Sequence, residues 1–249
     1  MRRLLPLAAL ALLLAACGGA NRPADLGAAP AKTAVSGSAH FQLTVDATVA
    51  GILIHSTENG TLSFRSRRAH VYKLAQNGLP EETIYDGPFR YTNANVQAAL
   101  QDPTVKPWTK LDVRRLSAAD RARQTDDIDH VRALAFLAAG AGTPHRVGGE
   151  QVDGAATTHY TAQVDPVRLA ARVPAESRGT IRAVIRSDYP TGVFPADFWL
   201  DSAGRIRRVR VAYTTPKGSR FSLDATFSEF GVAVDVQPPP PRRVQDISP

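Results

Sequence analysis

Two stretches far apart in the chain alternate strictly between apolar and polar residues. Phe41, Leu43, Val45, Ala47 and Val49 interleave with Gln42, Thr44, Asp46 and Thr48. Phe221, Leu223, Ala225 and Phe227 interleave with Ser222, Asp224, Thr226 and Ser228. A period of two sends every second side chain to the same face, so each stretch reads as a strand with one buried and one wet face. Strands of that kind belong to an antiparallel sheet covered on one side only.

Turn signals recur about every ten residues. Glu58-Asn59-Gly60 reads as a turn, followed by strands around Thr61–Ser66 and Ala69–Ala75. Asn77-Gly78 reads as the next turn, and Asp86-Gly87-Pro88 separates short strands at Glu82–Tyr85 and Phe89–Thr92. Later, Asp153-Gly154 joins Thr143–Val152 to Ala155–Val164, and Ser202-Ala203-Gly204 joins Phe194–Asp201 to Arg205–Thr214. Val232–Val236 reads as a last extended piece. Connections this short exclude parallel crossovers and predict a meander. Arg205, Arg207, Arg208 and Arg210 break strict alternation, which implies an edge or a bulge with Arg stems lying over apolar surface.

The period changes in the middle. Ile128, Val131, Leu134, Ala135 and Ala138 are spaced for a helix, with Asp126 and Asp127 before it and Gly140 as its stop. Asp165-Pro166 predicts a capped helix running to about Arg172, and further helices are expected over Ser117–Arg123 and Ala175–Ser187. The fold class is therefore α+β. It is expected to be a curved antiparallel β-sheet (half-barrel) of nine to eleven strands, with two or three helices covering its apolar face.

The chain contains a single cysteine, Cys17. Before it stand Arg2, Arg3 and an apolar run from Leu4 to Ala16, broken at Pro6 and ending in small residues. These are the regions of a secretory signal, and the run is too short to span a bilayer. Leu14-Ala15-Ala16-Cys17 resembles the bacterial lipobox, in which the thiol is acylated and the peptide before it removed. The other reading is an ordinary signal cut nearby, with Cys17 left as a thiol. The expected organisation is a signal peptide over 1–16, a lipidated cysteine and flexible tether over 17–38, one domain over 39–238 and a Pro-rich charged tail over 239–249. No disulfide is available, so the core must come from packing alone.

The net charge is +7, and +5 without Arg2 and Arg3. Basic chains suit nucleic acid or an anionic membrane surface, or simply carry a solvated basic surface. Export excludes nucleic acid. The expected location is the extracytoplasmic face of the cell membrane.

Three stretches together carry a family resemblance. They are Val147-Gly148-Gly149-Glu150-Gln151-Val152-Asp153-Gly154-Ala155-Ala156-Thr157-Thr158-His159-Tyr160, the run from Pro195 to Val209 containing Phe198-Trp199-Leu200-Asp201, and Phe230-Gly231-Val232-Ala233-Val234-Asp235-Val236-Gln237-Pro238-Pro239. With the lipobox, the chain resembles LppX/LprG-like actinobacterial lipoproteins over about 40–238, and more distantly LolA/LolB. The resemblance implies a half-barrel closed by helices around an apolar cavity, in which relatives bind or carry lipids. It supplies no ligand-contact residue.

No catalytic constellation stands out. There is no G-x-S-x-G elbow and no H-E-x-x-H. The six histidines lack metal spacing. His159 fits a hydrogen-bonded structural role better than a special one, and Asp126, Asp127 and Asp129 read as helix-terminal charges. No enzyme activity, cofactor or metal is expected. Two roles follow. One is binding or shuttling lipid in a cavity lined by Phe41, Leu43, Ile128, Val131, Leu134, Phe198, Phe221, Leu223 and Phe227, with the helix at 128–139 as a lid. The other is an interaction or sensory lipoprotein with a closed core. The expected partners are the membrane, through Cys17, and a lipid ligand, and the chain is expected to be a monomer.

Cys17→Ser tests the anchor. The variant should lose palmitate labelling and leave the membrane fraction as folded protein. A variant that stays in the membrane fraction contradicts the lipobox reading.

Overall fold

A computed structural model describes residues 25–49, 51–74, 78–117, 120, 127–172, 192–214 and 218–249. The strands are β1 (Ser38–Val49), β2 (Ile52–Ser63), β3 (Arg68–Leu74), β4 (Pro80–Asp86), β5 (Phe89–Thr92), β6 (Trp108–Asp112), β7 (His145–Val152), β8 (Ala155–Val164), β9 (Phe194–Asp201), β10 (Ile206–Thr214), β11 (Arg220–Ser228) and β12 (Val244–Asp246). All twelve lie in one sheet, ordered β12-β6-β5-β4-β3-β2-β1-β11-β10-β9-β8-β7. Two meanders thus grow outward in opposite directions from a central β1–β11 pair.

That pair joins the two alternating stretches. Phe41 faces Phe227, Leu43 faces Ala225, Val45 faces Leu223 and Ala47 faces Phe221. A slip of one residue would turn the whole row toward water, so the apolar pattern itself fixes the register.

Three helices cover the inner face: α1 (Ala29–Val35), after a 3-10 turn at Leu26–Ala28; α3 (Asp127–Phe136), which continues as a 3-10 turn over Leu137–Gly140; and α4 (Pro166–Arg172). A further short helix, α2 (Val96–Gln101), lies between β5 and β6 and buries no residue. From Val131 to Ala139 every residue except Arg132 is buried. A segment apolar on all sides is a core element, not a surface lid. The Arg132 guanidinium escapes by donating to the carbonyls of Ser63 and Ser66. Gly140 does more than stop this helix: a Cβ there would lie 2.7 Å from Leu169 Cβ and 2.9 Å from Asp165 O. The α4 cap is as expected, with Asp165 Oδ1 accepting from the N–H groups of Val167 and Arg168 at 2.8 and 3.3 Å.

Four expectations are corrected. First, the segment 26–38 is not a tether. Leu26, Ala29, Pro30 and Thr33 are buried, and α1 belongs to the core. Thr33 Oγ1 donates to Ala29 O and accepts from the Ile206 N–H, both at 2.9 Å. The Ala, Gly and Pro content that reads as a linker is what lets a short helix sit close to its neighbours. Second, Asn59-Gly60 lies mid-strand, and the turn falls at Gly51, which has φ +82, with Val49 paired to Ile52. Gly60 is small because the β3 backbone passes close: a Cβ would fall 2.0 Å from His70 O. Third, of the two alternatives for the Arg-rich strand the bulge holds and the edge does not: β10 is interior, and its register shifts between Ile206 and Arg208. Fourth, the tail is docked. β12 pairs in parallel with β6, Ser248 Oγ accepts from the Asp112 N–H at 2.8 Å, and Val244 packs against a second apolar cluster of Ile84, Tyr91, Trp108 and Val236. Hydrogen bonds from Ser248, with Lys110 nearby, hold the Asp246 carboxyl down at about 2. The tail thereby covers a sheet edge that would otherwise be open.

β6 and α2 lie where the sequence carries no strong periodic signal, and β6 and β12 raise the strand count above expectation. The expected helix at Ala175–Ser187, most of that at Ser117–Arg123, and Asp126 fall outside the described residues.

Leu26→Ala measures the docked segment. It should destabilise the domain by about 2–5 kcal/mol in denaturant titration, the usual loss for a buried leucine. An unchanged midpoint would mean that the segment is a tether after all.

Candidate functional site

Cross-strand register builds the inner face in rows. One row runs Lys73, Glu58, Leu43, Ala225, Val209, Phe198 and Tyr160, across seven strands from β3 to β8. The next row runs Ser56, Val45, Leu223, Val211, Ala196 and Ala162. A third runs Ile54, Ala47, Phe221 and Tyr213, toward the end of the sheet where β1 turns into β2. That end is called upper here, and the end where β1 begins, lower.

The rows differ in how well they are covered. Phe41, Leu43, Val131, Leu134, Phe198 and Phe227 are buried in one cluster with α1 and α3. Higher up, Val45, Tyr213 and Phe221 are half-buried, and Leu223 sits at the margin with 9% exposure. Tyr213 and Phe221 stack with ring centroids 5.2 Å apart. So of the predicted lining, Phe221 and Leu223 mark the less covered part, and the other described members form sealed core. Ile128 lies on α3, but its side chain is outside the described residues, as is Cys17.

Polar groups flank this upper surface. Glu58 is buried, and its Oε1 lies 3.1 Å from Lys73 Nζ. Ser56 Oγ is buried without a hydrogen-bond partner among the described residues. A buried carboxylate needs a partner to remain charged, and Lys73 supplies one. These three residues sit in inward register, a position that composition does not reveal. The inner face can therefore bury apolar chain along its upper rows and offers an ion pair and a hydroxyl at one side.

The outer face is engaged with itself. His159 stacks on Trp199 at 4.2 Å, with Nδ1 2.9 Å from Glu150 and Nε2 3.0 Å from Asp197. Trp199 Nε1–H donates to Glu150 at 2.7 Å, and Arg208 lies over the indole while gripping Asp224 with two nitrogens. The hydrogen bond from Trp199, then those from His159 and the charge of Arg208, hold the Glu150 carboxyl below its ordinary range. Asp224 raises the Arg208 guanidinium. His159 is thus a structural histidine that joins three strands. Arg205 and Arg207 both lie over Phe230 and both bond Asp201, as expected for stems resting on apolar surface.

A family model described as LppX_LprAFG lipoprotein matches residues 23–236. The chain belongs to the LppX/LprAFG lipoprotein family. The match begins before α1, in keeping with a folded N-terminal segment, and it ends where the tail begins. Two solved structures share the family's open, curved antiparallel sheet with few helices. LppX from Mycobacterium tuberculosis is 14% identical over 85% of this chain and 98% of its own, with a TM-score of 0.52. LprF from Mycobacterium bovis is 15% identical over 86% and 95%, with a TM-score of 0.51. A LolA superfamily protein from Nitrosomonas europaea is 10% identical over 81% and 90%, at a TM-score of 0.30. No curated protein matches by sequence. No described helix is long and apolar enough to cross a membrane.

Proposed function

We propose that this chain is an exported lipoprotein, held at the outer face of the cell membrane by lipid on Cys17, that binds and carries a lipid or similar apolar ligand on its inner face. The supporting observation is the change in cover along that face. The rows sealed under α1 and α3 continue upward into half-buried Val45, Tyr213 and Phe221. An acyl chain laid along them would gain about 0.8 kcal/mol for each CH₂ it buries. Glu58, Lys73 and Ser56 flank the same rows and suit the polar end of an amphiphile. The role is binding and transfer, not catalysis.

Anchor and domain are close in the chain. Asp25 is eight residues beyond Cys17. Even fully extended, eight residues reach only about 28 Å. The ligand surface therefore stays near the bilayer from which it would load.

The full burial of Phe41, Phe198 and Phe227 favours a second reading, an envelope interaction protein with a closed core. Native mass spectrometry of protein purified from its host membrane separates the two. The carrier reading predicts a co-purifying lipid in roughly stoichiometric amount, lost or reduced several-fold in Phe221→Asp. Protein that is lipid-free apart from its own anchor would support the closed core.

A further inference from the structure

We propose that the upper end of the sheet is a docking surface for an anionic lipid bilayer. The observation is where the exposed apolar side chains lie. Among the described residues, six of the ten exposed large apolar side chains, Ile52, Leu53, Leu74, Leu100, Val167 and Val193, are each 52–77% exposed and gather at the upper end, while Val35 and Ile247 lie toward the lower. The strand register places all six at one end. Ile52 and Leu53 open β2 just after the β1–β2 turn, and Leu74 closes β3. Leu100 lies on α2, between the upper ends of β5 and β6. Val167 follows the end of β8, and Val193 precedes the start of β9. These residues come from four separate connections along the arc of strand ends. Single exposed apolar residues are ordinary on any protein; their collection along one rim is not.

Charge at the same end selects the partner. Arg220 opens β11. Lys106, Arg242 and Arg243 line a groove of about 400 Å³ that also holds Leu100. All four cations are exposed, and none has an ion pair among the described residues. Three carboxylates at this end are engaged locally. Asp46 pairs with His55, Asp102 is held by Thr104, and Asp165 caps α4. The lower end has more arginines, but most of them, Arg115 excepted, are committed to internal partners. Arg65 donates to Val35 O, Arg67 to Gly87 O, Arg68 pairs with Asp86, and Arg205 and Arg207 bind Asp201. Apolar side chains that enter the headgroup region beside uncommitted cations match an anionic leaflet, where each such cation contributes roughly 1 kcal/mol. The less covered rows of the inner face end at this same rim, so docking there would bring their mouth to the lipid. The inference needs the domain to work at a membrane, and it does not depend on what the inner face holds.

The test compares the two ends on one bilayer. The acylated full chain is prepared as Leu53→Cys or as Val35→Cys, labelled with an environment-sensitive fluorophore. It is reconstituted in vesicles of phosphatidylcholine and phosphatidylglycerol (7:3) containing doxyl-labelled lipid. Both positions are 71% exposed, so neither change touches the core. The label at 53 should be quenched at least about threefold more than that at 35. The difference should shrink in phosphatidylcholine alone and in an Arg220→Gln/Arg242→Gln/Arg243→Gln background. Equal quenching at the two ends, or stronger quenching at 35, overturns the proposal. Quenching at 53 that appears only with an added envelope extract would mean a protein partner on this rim, and would overturn it too. The readout is indifferent to whether lipid co-purifies, so it can fail while the carrier reading stands, and the reverse.

Discussion

The architecture depends on one pairing, β1 against β11, between residues about 180 positions apart in sequence. It brings the two amphipathic strands side by side with their apolar rows in phase, and each meander then extends from it by short turns. Because the pair is central, its inward residues become the floor on which α1 and α3 rest. A contact so distant in sequence closes slowly and late compared with a local hairpin. It nonetheless decides which face of all the other strands is dry.

That floor is then used in two ways. Toward the lower end, α1, α3 and the 3-10 turn after α3 bury it completely, with Thr33 satisfying the backbone of Ile206 inside the contact. Toward the upper end the cover thins, and the same rows present half-buried rings and an ion pair. In the proposed carrier role, stability and binding would be divided along the length of the strands. The outer face is locked by Glu150, His159, Trp199, Arg208 and Asp224, a chain of contacts across five strands that holds the β7 side of the sheet in register.

Legibility in the sequence followed the strength of local chemistry. β1, β8, β9 and β11 were readable because alternation is clean or because a turn such as Asp153-Gly154 is unmistakable; Asp153 and Gly154 do take positive φ. Helix α4 was readable from Asp165-Pro166. Segment 26–36 was not, because small residues look the same in a linker and in a tightly packed helix. Gly60 misled for the opposite reason: glycine marks close backbone approach as well as turns. The short tail strand has no periodicity of its own and is held by β6. Of the candidate site, Phe221 and Leu223 were visible as apolar strand residues. Tyr213, Ser56, Glu58 and Lys73 required knowing which residue faces which, since a buried charge in inward register looks like any polar residue until the register is known.

The central claim is that the upper inner face holds an acyl chain. A photoactivatable, clickable fatty acid fed to the producing cells and crosslinked in place tests it directly, with attachment sites read by mass spectrometry. The account predicts crosslinks on Val45, Tyr213, Phe221 and Leu223. Crosslinks confined to the outer face around Trp199, or absent from all four residues while the lipid anchor itself is labelled, would contradict it.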